Sequence, residues 1–230
     1  GKNLLMNNHR IQIITGHYGS GKTEFAVNLA LKFAADGDRT ALADLDIVNP
    51  YFRSAERREL LENNGIRVIA TSFSGVMDVP AVSPEVMAIF DDPSYRGVID
   101  LGGDPEGARM LGRYEPQLAR EGYDLLCVVN ANRPETNAPE KVLSYMEYIE
   151  MACRQKITGL VNNTHLCRET SAEDIIKGAE LVREVSKLSG LPVVWHSVES
   201  KFVDQVKNQL GEGKILPIEI YMCKPWEVNF

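Results

Sequence analysis

Gly16-His17-Tyr18-Gly19-Ser20-Gly21-Lys22-Thr23 has the spacing G-x-x-x-x-G-K-S/T of a phosphate-binding loop. Its glycines open backbone angles closed to other residues, so successive N–H groups can turn toward one anion. A lysine at Lys22 places a point charge on the β- and γ-phosphates, and the hydroxyl of Thr23 is a ligand for Mg²⁺. The flanking sequence has the form such a loop requires. Arg10 to Thr15 reads as a buried strand, and Glu24 to Ala35 as a helix. This stretch predicts a nucleoside-triphosphate site, with Gly16, Gly19, Ser20, Gly21, Lys22 and Thr23 around the phosphates.

Strand-like and helix-like segments alternate on either side of the loop, without a linker or a shift in composition. Strands are expected over Arg39–Leu45, Ile66–Ala70, Gly97–Asp100, Tyr123–Val129, Ile157–Val161 and Val193–His196. The tail from Ile215 to Met222 alternates like a further strand at an edge. Helices are expected from Ser54 to Asn63, from Ser83-Pro84-Glu85 with a serine cap, from Pro139 to Cys153, and from a Ser171–Asp174 capping box to Leu188. The pattern predicts an α/β fold with a mostly parallel central sheet of about seven strands and helices on both faces. Gly1 to His9 reads as a polar, loosely held lead-in, and the residues from Arg10 to Phe230 as a single nucleotide-binding domain.

In open α/β sheets the carboxyl ends of the strands face the ligand crevice. Asp44 and Asp46 stand two apart at the end of the second strand, so an extended chain points both to one side. Asp100 closes the fourth strand, where a carboxylate can hold a water on Mg²⁺. Asp46 is then the candidate for orienting an attacking water. Asp44 has two readings, a metal-side carboxylate or an acceptor for backbone amides. Two segments look mobile, Asp46–Arg53 and Gly102–Gly107, and Arg53 and Arg109 are weighed as cations for the phosphates against ordinary surface arginines.

With 230 residues, 44% hydrophobic and 25% charged, the chain can bury one large core. A net charge of −7 argues against a duplex-DNA footprint, so no nucleic-acid partner is expected. No apolar run reaches a membrane span and no secretory signal opens the chain, so no membrane partner is expected, and reduced thiols with a nucleotide site point to a cytoplasmic protein. Cys127, Cys153, Cys167 and Cys223 form no C-x-x-C pair, which disfavours zinc and iron–sulfur sites, and Cys127 reads as a core thiol.

GHYGSGKT, followed by the strand ends ADLD, IDLGG and LVNN, occurs in the order seen in MinD/ParA-like (CobQ/CobB/MinD/ParA) P-loop NTPases. The chain resembles that family from about Arg10 to Leu210. The resemblance implies the three-layer P-loop NTPase fold, with ATP and Mg²⁺ as cofactors. It places Lys22 and Thr23 on phosphate and magnesium, Asp46 on the hydrolytic water, Asp100 behind the magnesium ion, and Asn163 beside the base. The loop departs from the family at His17, where many members carry a second lysine that reaches the nucleotide of a dimer partner. An ordinary histidine is mostly neutral at pH 7 and does not supply that fixed charge. A homodimer remains an open expectation, and the tail lacks the basic amphipathic helix by which MinD meets membranes.

The leading expectation is an Mg-dependent ATPase acting as a switch or as a maturation or regulatory factor for another protein. The alternatives are an ATP-dependent carboxylate ligase resembling dethiobiotin synthetase or the cobyrinate amidases, a metallochaperone-like GTPase, and a nucleotide sensor that hardly hydrolyses. GTP is disfavoured because no aspartate follows Asn162-Asn163-Thr164-His165 at the spacing of an N-K-x-D guanine reader. The metallochaperone reading is weakened because His9, His17, His165 and His196 are dispersed.

Overall fold

The computed structural model describes residues 8–46, 55–70 and 83–221. The strands are β1 (Ile11–Gly16), β2 (Thr40–Asp44), β3 (Arg67–Ala70), β4 (Arg96–Asp100), β5 (Asp124–Val129), β6 (Gly159–Asn162), β7 (Val193–Glu199) and β8 (Lys214–Ile218). The longer helices are α1 (Lys22–Ala35), α2 (Ala55–Asn63), α3 (Pro84–Asp91), α6 (Pro139–Cys153) and α7 (Ala172–Ser189). Three shorter ones are α4 (Pro105–Arg109), α5 (Glu115–Glu121) and α8 (Val203–Val206).

The strands form one eight-stranded sheet in the order β3-β2-β4-β1-β5-β6-β7-β8. Every neighbouring pair is parallel. Alternation along the strands divides the core in two, because successive side chains leave opposite faces. Ile11 and Ile13 join the core beneath α3, α5, α6 and α7, with Ile89, Leu118, Ile149 and Val182 among its members. Ile14, Leu42, Val98 and Leu126 join the core beneath α1 and α2, with Phe25, Leu29 and Leu61. Helices on both faces of a parallel sheet give the three-layer arrangement expected from the sequence. β8 is the tail strand, and it lies at the sheet edge beside β7.

Local details match expectation in some places and differ in others. The Gly102–Gly107 segment, read as mobile, runs into α4. Asp104 caps this helix by accepting from the Gly107 N–H at 2.7 Å, and Pro105 fills the first turn. β7 continues three residues past His196 because β8 pairs with it as far as Glu199. Ser83 precedes α3 but makes no side-chain capping bond. The capping box at Ser171 and Asp174 is present in full. His9, assigned to the lead-in, is tied to Asp124 through its backbone N–H at 2.9 Å. Arg53, the stretch Thr71–Val82, Cys223, Pro225 and Trp226 fall outside the described residues, as does most of Asp46–Arg53.

Candidate nucleotide site

β1 lies at the middle of the sheet between β4 and β5, so the loop that leaves it opens onto the carboxyl ends of both neighbours. The Ser20 N–H donates to His17 O at 2.9 Å and closes the turn. Gly21 then takes φ 75°, and α1 begins at Lys22. A Cβ on Gly21 would collide with the Asn163 amide, so the position is closed to other residues by both angle and space. Gly103 is required for a second close approach, since a Cβ there would run into the carbonyl of Gly16.

Lys22 Nζ donates to Asp46 Oδ2 and to Asp100 Oδ1, each at 2.8 Å. The Thr23 hydroxyl donates to Asp100 Oδ2 at 2.6 Å. Asp44 Oδ1 accepts from the Asp46 N–H at 2.9 Å, so the backbone role considered for Asp44 is present. All three carboxylates are buried, at 4% exposure for Asp44, 6% for Asp46 and 0% for Asp100. Burial alone would favour a neutral lysine, but the charges of Asp100 and Asp46 outweigh it and hold Lys22 protonated well above its ordinary range. Burial, and then the charge of Asp100, pushes the Asp44 carboxyl up to about 7. Two of the strand-end aspartates read from the sequence, Asp46 and Asp100, therefore meet at the loop lysine, and Asp44 holds the backbone of Asp46.

Asn163 sits on the other side of the loop. Its Nδ2 donates to Ser20 O at 2.9 Å and to Gly21 O at 3.4 Å, leaving Oδ1 as its remaining polar atom. Ser20 Oγ is buried and makes no hydrogen bond among the described residues, a donor suited to an anion. His17 turns toward α6, where its ring meets Tyr145 edge-on at 5.4 Å. The Tyr145 hydroxyl donates to Gly103 O at 3.0 Å, so one side chain touches both the loop and the segment after β4.

Sequence reasoning passed over several residues that the fold brings here. Asn130 and Arg133 follow β5 and donate to Gly19 O at 3.2 and 3.1 Å. His165 stacks its ring atoms against Gly21. Burial, and then the charge of Arg133, lowers its pKa to about 4. Ser197 and Glu199 arrive through the unexpected extension of β7. Arg109 is exposed on α4 and does not line the site. The sequence signal for Arg133 is its place just beyond an apolar strand that pairs with β1, the same logic that found Asp100.

A cavity of about 640 Å³ runs from Gly103, Asp104 and Tyr148 past the loop, Arg133 and His165 to Ser197, Glu199 and Ile218. Mg²⁺ fits the donors beside Lys22. They are all hard oxygens, and three buried aspartates face one lysine there, with the Asp44 carboxyl raised by burial and then by the charge of Asp100. Among the described residues no three His, Cys, Asp or Glu side chains form a protein-only metal cage. An ion there would be completed by phosphate and water oxygens, as is usual for Mg²⁺. Cys127 is fully buried in β5, and burial pushes its thiol up to about 12. Among the described residues no helix is long and apolar enough to cross a membrane.

No protein-family model matches the chain, and a comparison with curated proteins finds no match. Solved structures do match. The chain is similar to the cell division protein FtsY of Thermotoga maritima, with a TM-score of 0.57, 20% identity, and coverage of 82% of this chain and 61% of that one. It is similar to chloroplast FtsY of Physcomitrella patens, with a TM-score of 0.57, 17% identity, and coverage of 81% and 57%. It is also similar to the signal recognition particle receptor FtsY of Elizabethkingia anophelis in complex with GDP, with a TM-score of 0.50, 18% identity, and coverage of 81% and 56%. The chain thus spans about three fifths of the length of these proteins, and at such identities the likeness is one of fold. The fold is that of the P-loop NTPases.

Proposed function

We propose that the protein is an Mg²⁺-dependent nucleoside triphosphatase that uses ATP as a switch, working as an accessory or regulatory factor for another protein in the cytoplasm. The observation that carries this reading is the convergence of Lys22, Thr23, Asp46 and Asp100 at one end of the sheet. In this reading Gly16, Gly19, Ser20 and Gly21 wrap the phosphates, and Lys22 exchanges a carboxylate partner for phosphate oxygens. Asp46 orients the attacking water. Thr23, with Asp44 and Asp100, holds Mg²⁺, which when bound neutralises charge on the phosphates. Asn163 lies on the base side, where its Oδ1 is free to accept from the adenine amino group.

A second reading, GTP, rests on Glu199. Its carboxylate lines the far arm of the cavity beside Ser197, whose buried hydroxyl makes no hydrogen bond among the described residues. A carboxylate there could accept from guanine, although it is paired with Lys201 at 2.7 Å. The GDP carried by one FtsY structure adds weight to this reading. The test is phosphate release from ATP and from GTP, in Mg²⁺, by the wild type, Lys22→Ala and Asp46→Asn. Turnover of ATP above GTP, lost in both variants, supports the proposal. Equal, negligible rates in all three proteins would leave only a nucleotide sensor.

A further inference from the structure

Lys22 and Arg133 are the lysine and arginine that line the cavity among the described residues, and their situations differ. Lys22 is engaged by two carboxylates, whereas Arg133 forms no ion pair among the described residues. Its Nε spends one N–H on Gly19 O at 3.1 Å, and the described residues offer no partner to the other four donors of the guanidinium. The side chain is half-buried and so close to the loop that a Cβ on Gly19 would collide with it.

The loop that carries Arg133 is held by its own hydrogen bonds. Asn130 Oδ1 accepts from the Asn132 N–H at 3.0 Å, and the Thr136 hydroxyl donates to Asn130 O at 2.9 Å. The Arg133 N–H donates to Asn130 O at 3.1 Å, and its own carbonyl accepts from the Thr136 N–H at 3.0 Å. An unpaired, half-buried cation on a fixed loop, lining the cavity beside a phosphate-binding turn, suits an anion that the protein itself does not supply. His17 points the other way, toward Tyr145.

We infer that Arg133 is a catalytic arginine supplied within the chain, whose free guanidinium N–H groups bind the oxygens around the β–γ bridge of the bound triphosphate. This rests on reading the site as a nucleoside triphosphatase. Water attacks the γ-phosphorus, and the bond from that phosphorus to the bridging oxygen breaks. The electron pair stays on the β-phosphate, so the products are nucleoside diphosphate, inorganic phosphate and one proton. Arg133 offsets the charge that builds on the bridging oxygen as that bond lengthens, and it interacts less with a diphosphate.

The test uses the full chain as wild type, Arg133→Gln and Arg133→Lys, with Mg²⁺ and with ATP, ADP, GTP and GDP titrated calorimetrically beside turnover. For the nucleotide that the wild type binds best, Arg133→Gln is expected to lower turnover by about 10²–10³-fold. Triphosphate affinity should fall about tenfold, with diphosphate affinity changed less than about threefold. Arg133→Lys keeps the charge without the fork and should fall between the two. Should Arg133→Gln match the wild type in turnover and affinity, the assignment is overturned. A parallel loss for triphosphate and diphosphate also overturns it, because the side chain then only shapes the Gly19 turn. If the wild type binds none of the four nucleotides, the nucleotide reading itself fails, an outcome distinct from the other two.

Discussion

Lys22 Nζ lies 2.8 Å from Asp100 Oδ1, although 78 residues separate them in the chain. The contact joins the start of α1 to the end of β4, and Asp46 beyond β2 completes it. Both acids and the lysine are buried, so the cluster depends on charge balance rather than on water. Removing the lysine leaves the two carboxylates without that cation. Lys22→Ala is expected to lower stability at pH 7 by about 3 kcal/mol, read as a lower urea midpoint with an unchanged slope.

Asp46→Asn separates binding from turnover. The substitution removes one of the two carboxylates that compete with phosphate for Lys22, and it also removes the group proposed to orient water. Triphosphate affinity should rise a few-fold while turnover falls by about 10²-fold. Calorimetry and phosphate release on the same preparation check the pair of effects, and affinity and turnover falling together would contradict it.

Asp44 and His165 make stability depend on pH in opposite senses. The folded pKa of Asp44 is raised to about 7. Between its unfolded value near 4 and pH 7 the native state therefore holds the extra proton, and stability falls as pH rises. His165 is lowered to about 4, so between pH 4 and 6.5 the unfolded state holds the extra proton, and stability falls as pH drops. The two slopes offset each other in the wild type. Urea unfolding from pH 4.5 to 7 should show Asp44→Asn losing stability on acidification more steeply than the wild type. His165→Gln should gain stability over the same range.

Tyr145→Phe removes the hydroxyl that donates to Gly103 O but keeps the ring against His17. A single buried hydrogen bond contributes about 1 kcal/mol, so the melting temperature should fall by a few degrees. If the Gly103 segment must stay in register with the loop during catalysis, turnover drops about tenfold while ATP affinity stays within about twofold. Unchanged turnover would make the bond purely structural.

The parts of this site that were legible in the sequence are those encoded locally or by strand ends. The loop is a contiguous motif, and Asp44, Asp46 and Asp100 stand where apolar strands stop, which in a parallel sheet means one shared edge. α4 was also encoded, because Asp104-Pro105-Glu106 is a helix start in its own right. The glycines around it read as irregularity, although Gly103 and Gly107 serve close packing. Arg133, His165, Ser197 and Glu199 were harder to see. Nothing in Asn130-Ala131-Asn132-Arg133 marks which way the side chain turns, and that is fixed only when β5 pairs with β1. The reach of β7 to Glu199 depends on β8, which arrives from later in the chain.

The most direct test of the nucleotide site is thermal unfolding of the wild type and Lys22→Ala with and without Mg–ATP. A ligand at a hundred times its Kd adds about 2.7 kcal/mol of stability, which for a chain of this size raises the melting temperature by about 5–10 °C. The wild type is expected to show that rise with Mg–ATP and a smaller one with GTP, and Lys22→Ala to lose most of it. A wild type whose melting temperature is unmoved by millimolar Mg–ATP or Mg–GTP, or a Lys22→Ala variant stabilised as fully as the wild type, would contradict it.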